Sequence, residues 1–332
     1  MFLIPEPSSS PDSLRPAPQG RRPILITGSP RSGTTWIGDV LRAAPRTMVL
    51  MEPFNPELSR LPARHCNFHF REWYTYVTGE NAAEFTPPLR RMLELRHDTW
   101  IHLRASKGVK DIIDVAAAAA RFRLSRLLGA TPIMKDPVAL LSSQWIAREF
   151  GARVVVLIRH PAAVVSSFLR LGLPVDIPGL LRQPLLMRDL LYPMEGEFRD
   201  LLAAPRSPVE YAAMLWKALY FAVHCFQQQH SDWLFIRHED LSQDPVAGFE
   251  KICRHVGIEF TPRIHRAVLD SNDAALPPEL DLKLAFTTRR NVAANLTNWK
   301  TRVSQDDLRI IRQRVEQVSQ HFYQDSEWES PA

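Results

Sequence analysis

The sequence predicts an α/β fold of P-loop type: a parallel sheet of about five strands, helices on both faces, and helical insertions. Short aliphatic runs alternate with helix-compatible stretches, the pattern of a parallel sheet covered on both sides. Arg153–Ile158 (R-V-V-V-L-I) is apolar throughout after its first residue, as a strand buried on both faces requires. The first run, Ile24-Leu25-Ile26, leads into Gly28-Ser29-Pro30-Arg31-Ser32-Gly33-Thr34-Thr35, with four residues between the glycines. Strand, glycine-bounded loop and helix start together make a cradle for a phosphate-like anion, because loop N–H groups and the helix dipole point at the same spot.

In chain order, Met1 to Gly20 is rich in Pro and Ser and reads as a disordered arm, followed by a single domain over about 21–330. Pro23 precedes the first strand, and helix-compatible Trp36 to Ala44 follows the loop. Thr47–Met51 is the second strand, ending at Glu52-Pro53. A first insertion, about 59–130, holds the aromatic stretch Phe68 to Tyr74, an alanine run Ala116–Ala120, and basic Arg121–Arg126, which reads as a solvated helix face. It is expected to pack over the active edge of the sheet. Pro132–Pro137 (P-I-M-K-D-P) is a short strand, with a helix near Leu140 to Phe150. Arg153–Ile158 ends at Arg159-His160-Pro161, and Pro161 suits the first turn of a helix carrying Ser166 and Ser167. A Leu-rich second insertion spans about 172–205. Val209 to Gln229 is an amphipathic helix holding Trp216, which reads as core. Asp232–Arg237 is the fifth strand, and Asp306 to Tyr323 a closing helix.

Composition narrows the function classes. The chain has 332 residues, is 45% hydrophobic and carries a formal charge of +5, enough for one large domain and suited to an anionic ligand without indicating nucleic acid. Three widely separated cysteines, Cys66, Cys225 and Cys253, imply no disulfide framework and a reducing compartment. No apolar run approaches the ~20 residues of a membrane span, and no secretory signal is visible; the expectation is a cytoplasmic protein. His65, Cys66 and His69 lack a fourth ligand and read as packing, so no metal is expected.

The chemistry follows from the strand ends. Arg31, Glu52, Lys135 and Arg159 each lie at or just past the C-terminal end of a predicted strand, the edge where open α/β sheets bind ligands. The residue after Gly33 is Thr34, where a nucleoside triphosphatase has Lys, and no strand ends in a magnesium-binding Asp. A metal-free anion transfer follows, with cations stabilising the moving group and Glu52 taking a proton from an attacking hydroxyl or amine.

These motifs, in this order, resemble the sulfotransferases that use 3′-phosphoadenosine 5′-phosphosulfate (PAPS). The loop Pro30-Arg31-Ser32-Gly33-Thr34-Thr35-Trp36 resembles their 5′-phosphosulfate loop, with Arg31 as its basic residue. Arg159-His160-Pro161 through Ser167 is similar to their 3′-phosphate motif, and Arg289-Arg290-Asn291 to its second contact. Lys135-Asp136-Pro137 resembles the strand-end lysine motif, Glu239-Asp240-Leu241 the acidic motif after the last strand, and Trp299-Lys300 the C-terminal W-K. Small-molecule members place a base histidine two residues after the lysine; Val138 stands there, whereas Glu52-Pro53 matches the glutamate of the carbohydrate and bacterial branch. The resemblance therefore implies PAPS as donor, catalysis by Glu52, Lys135 and Arg31, a carbohydrate or small-metabolite acceptor, no membrane span, and a soluble, bacterial-type cytoplasmic enzyme. The rivals are a P-loop small-molecule kinase, which would need the missing lysine, and a basic polyanion-binding protein, which would need no carboxylate beside the loop.

Overall fold

The structure is a computed structural model and describes residues 22–58, 66–271 and 292–328; the predicted N-terminal arm lies outside the described residues. Five parallel strands form one sheet in the order β2-β3-β1-β4-β5: β1 (Ile24–Gly28), β2 (Thr47–Met51), β3 (Thr131–Lys135), β4 (Arg153–Ile158) and β5 (Leu234–Arg237). The predicted α/β class is observed. One relationship differs from chain order. β2 follows β1 in sequence but lies at the sheet edge, because β3 pairs with both of them: Ile26 and Met51 are each in register with Lys135.

Helix α1 (Thr34–Leu41) starts directly after the loop. The first insertion contributes α2 (Thr86–Leu93), α3 (Thr99–Ala105) and α4 (Val109–Leu127). After β3 comes α5 (Ser143–Phe150), and after β4 comes α6 (Pro161–Leu171), with Pro161 at its first turn as predicted. The second insertion holds α7 (Ile177–Leu181), the single turn α8 (Pro184–Leu186) and α9 (Glu195–Leu202). Then α10 (Pro208–Gln229) begins at a capping box, in which Ser207 accepts from the Glu210 N–H and Glu210 accepts from the Ser207 N–H. After β5 follow α11 (His238–Gln243), α12 (Pro245–Val256), α13 (Pro262–Ser271), α14 (Val292–Arg302) and α15 (Gln305–Ser319).

Alternation along the strands splits the core in two. Leu25, Leu50, Met134, Val154 and Val156 face one layer, built on α10, α6 and the insertions. Ile24, Ile26, Val49, Ile133, Val155 and Leu157 face the other, built on α1, α12 and α13. The aromatic part of the first insertion reaches the ligand edge: Phe70 stacks on Phe54, two residues past Glu52, at 4.1 Å between ring centres. Helix α4 instead packs Phe122 into the first core layer and also buries Val115. The two insertions also bind each other, the Tyr76 N–H donating to Gln183 Oε1 at 2.7 Å. Among the described residues, no helix is long and apolar enough to cross a membrane.

Candidate active site

The sheet brings Arg31, Glu52, Lys135 and Arg159 to one edge, in two connected groups. The loop between β1 and α1 is shaped by glycine at both ends. A Cβ on Gly28 would lie 2.4 Å from the Leu157 carbonyl oxygen, and one on Gly33 would lie 2.7 Å from His238 Nδ1. Both also adopt positive φ, 146° and 108°, which glycine tolerates. Ser29 Oγ meets the Tyr220 hydroxyl at 3.0 Å, and that hydroxyl also accepts from the Arg159 N–H at 3.0 Å. Tyr220 of α10 therefore ties the loop to the end of β4. Trp216, one helical turn earlier, donates from Nε1 to the Arg159 carbonyl at 3.0 Å; it is core, as expected, and it positions Arg159.

Three residues form the first group. Arg31 donates from Nε to Ser167 Oγ at 2.9 Å, and Arg159 donates to the Arg31 carbonyl at 2.5 Å. Arg159 and Ser167 open onto a recess lined also by Ser166, Arg170, Asn298, Trp299 and Arg302. Three guanidinium groups beside hydroxyl and amide groups give this recess the chemistry that suits an anion.

The second group centres on Lys135, whose side chain is 1% exposed. Its Nζ donates to Glu52 Oε1 at 2.5 Å and to Thr35 Oγ1 at 3.3 Å. The Glu52 N–H donates to the Lys135 carbonyl, so the backbone ladder extends one residue beyond β2 and sets the pair. Asn55 holds Glu52 Oε2 at 2.8 Å. Each carboxylate oxygen keeps a second lone pair, so the group can still accept a proton. Asp136 is fully buried and accepts from the N–H groups of Phe54, Val138 and Ala139, clamping the Glu52 turn to β3. Burial, reinforced by Glu52, pushes its carboxyl up to about 7 against those donors and Lys135. Arg31 and Glu52 both have positive φ, 70° and 44°. Such backbone is rare outside glycine and persists where the surroundings impose it.

The family follows once this geometry is in view. Residues 23–176 match the family model described as Sulfotransferase family. That stretch, a little under half of the chain, is similar to sulfotransferases. The chain is an enzyme of the transferase class. No curated protein matches the sequence. Among solved structures, it is similar to a sulfotransferase domain from the curacin biosynthetic pathway, at 16% identity and TM-score 0.47, covering 89% of this chain and 98% of that one. It is also similar to a sulfotransferase domain from the Synechococcus olefin synthase, at 17% identity and TM-score 0.44, covering 94% and 98%. A mouse sulfotransferase complexed with PAP matches at 13% identity and TM-score 0.41, covering 91% and 85%.

The remaining motif residues of the sulfotransferase take varied places. Ser32 and Thr34 are buried in the loop, and Pro30 and Thr35 are half-buried. Ser32 Oγ is buried without a hydrogen-bond partner among the described residues. Trp36 turns away from the ligand edge into the second core layer, against Phe249, with Nε1 donating to Ser271 Oγ at 2.7 Å. Glu239 accepts from the His160 N–H and the Tyr323 hydroxyl, each at 3.0 Å, and supports the Arg159 turn from below. Arg289, Arg290 and Asn291 lie outside the described residues, as does His65.

Several site residues escaped sequence reasoning. Ser166 and Arg170 line the recess with Ala163 and Ser167, at a helical spacing along α6 that was legible in principle. Arg302 stands three residues after Trp299, one turn along α14 from the W-K motif. Tyr220 gave no signal, being one of many aromatic residues on an apolar helix.

Proposed function

We propose that this sulfotransferase moves a sulfonyl group from PAPS to a hydroxyl or amine acceptor, a carbohydrate or small metabolite, with Glu52 as general base. The observation that carries this reading is the adjacency of two anion sites. The phosphate loop, with Arg31, is bonded directly to the Arg159–Ser167 recess. A donor with phosphates at both its 5′ and 3′ positions fits such a pair, whereas ATP has no 3′-phosphate to offer the second site. The unpartnered Ser32 Oγ in the loop suits an incoming phosphate oxygen.

In this reading the N–H groups of residues 33–35, the Ser32 hydroxyl and Arg31 hold the 5′-phosphosulfate, while Arg159, Ser167 and Arg170 hold the 3′-phosphate. The bound donor supplies an activated sulfonyl group. Lys135 and Thr35 offset the charge that builds on the transferring oxygens. Glu52 accepts the acceptor's proton as the new S–O or S–N bond forms and the S–O bond to the donor's 5′-phosphate breaks, releasing 3′-phosphoadenosine 5′-phosphate, and Asp136 keeps the Glu52 turn in place. Glu52 and Lys135 share a contact within which a proton and a developing negative charge are both managed.

The experiment is transfer of radiolabelled sulfur from PAPS to host-extract acceptors in EDTA, beside labelled ATP with magnesium. Sulfur transfer in EDTA supports the proposal. Phosphate transfer requiring magnesium would replace it with the kinase reading.

A further inference from the structure

Helix α4 has two apolar faces, and among the described residues only one is covered. Val115, Ala118 and Phe122 are buried against the domain. On the opposite side, Val109, Ile112, Ile113, Leu124, Leu127 and Leu128 are between 49% and 76% exposed. These six, with Ala116 and Ala120, recur at intervals of one, three or four residues and so form one continuous stripe. The neighbouring α3 adds Trp100 at 65% and Ile101 at 47% exposure. At roughly 100 Å² apiece, the eight large side chains expose on the order of 800 Å², beyond the largest apolar patch of a typical monomer and equal to one partner's share of a standard interface.

The stripe is complementary to itself. Reversed end to end about Ala118, much of its pattern superimposes: Val109 falls opposite Leu127, Ile112 opposite Leu124, and Ala116 opposite Ala120, while Ile113 and Leu128 fall opposite Arg123 and Gly108. The large residues therefore pack near the ends, and small alanines at the centre let two helices approach to about 8–10 Å. Charge follows the same symmetry. Asp111 and Asp114 stand in the N-terminal half beside Lys110, and Arg121, Arg123 and Arg126 in the C-terminal half. Asp114 and Arg121 flank the stripe on the same side, the side on which antiparallel helices meet residue to residue. Antiparallel pairing sets each acidic half against the partner's arginine half; parallel pairing would set arginines against arginines. We propose that a second copy of this chain covers α4, forming a two-fold dimer through antiparallel α4 helices. Such an interface is closed, each copy giving and receiving the same surface. A basic amphipathic helix also suits an anionic membrane, but a membrane gives no account of the acidic half or the central alanines.

Sedimentation velocity on the full chain tests this. The wild type is expected to sediment as a dimer. Ile113→Glu with Leu124→Glu should give a monomer with unchanged melting temperature. Asp114→Arg should weaken the dimer at least ~10-fold, and adding Arg121→Asp should restore it, an outcome that folding defects would not mimic. A monomeric wild type at every concentration overturns the proposal, whether or not it binds vesicles of phosphatidylcholine and phosphatidylserine. So does a dimer indifferent to all four substitutions.

Discussion

Lys135 Nζ sits 2.5 Å from Glu52 Oε1, joining the last residue of an inner strand to the first residue beyond the edge strand. The contact has two consequences. It places the candidate base and the candidate charge-stabilising group within one hydrogen bond of each other. It also makes each depend on the other, since removing one leaves its partner unpaired at a site closed to solvent on the lysine side. Glu52→Gln keeps the shape and a hydrogen-bond acceptor for Lys135 while removing the base. Turnover is expected to fall by ~10²–10⁴-fold, with nucleotide affinity within a few-fold of wild type. Steady-state kinetics and calorimetry on the same variant check this, and near-normal turnover would end the base assignment.

Gly38 of α1 supplies a second prediction. A Cβ there would lie 3.2 Å from Lys135 Cγ and 3.5 Å from its Cβ, so the bare backbone is what lets the lysine stem pass beneath the helix. Gly38→Ala gains up to about 1 kcal/mol of helix propensity but presses on that stem. The expected result is a melting temperature at or above wild type together with at least a tenfold loss of turnover. Unchanged turnover would show that the Lys135 position tolerates the displacement.

A third prediction concerns acid. His160 is packed against Trp299, Tyr323 and Trp328, and both ring nitrogens lack hydrogen-bond partners among the described residues. Burial, with Lys300, Arg237 and Arg159 nearby, holds it down at about 3. The unfolded chain binds a proton near pH 6.5 that the folded chain refuses until far lower. Stability from this group is thus complete above about pH 6.5 and lost as pH falls, by up to about 1.4 kcal/mol per pH unit. His97, held by burial at about 4, adds to the slope. Denaturant melts between pH 7 and pH 4 should show the decline, and His160→Phe should make it shallower. An unchanged slope in that variant would exclude His160 as a contributor.

The strand ends were legible because each strand announces itself locally: Ile24–Ile26, Val49–Leu50 and Val154–Ile158 are short aliphatic runs closed by Gly, Glu-Pro or Arg-His-Pro. Their lateral order was not, since pairing is non-local; β3, far along the chain, intervenes between β1 and β2 and carries Lys135 to Glu52. The motif spacing from Arg159 to Ser167 was legible because both lie on one strand–helix unit. Tyr220 was not, because its role is defined by contacts with Ser29 and Arg159, separated from it by 191 and 61 residues. Trp36 belongs to the loop motif, yet the helical turn it occupies points it into the core. The Arg121–Arg126 stretch of α4 reads as a solvated face because the large apolar residues at the two ends of the helix join into one stripe only when the helix is seen whole.

The central claim is that the Arg31–Ser167–Arg159 arrangement recognises a nucleotide phosphorylated at both 5′ and 3′ positions. Each charge-assisted hydrogen bond to the second phosphate contributes about 1.5–3 kcal/mol, so two of them separate the nucleotides by at least ~100-fold. The decisive measurement is calorimetric titration of the wild type and of Arg159→Met with 3′-phosphoadenosine 5′-phosphate and with AMP. The expected result is strong preference for the doubly phosphorylated nucleotide in the wild type and a collapse of that preference in Arg159→Met. Equal affinity of the wild type for both nucleotides would contradict the assignment.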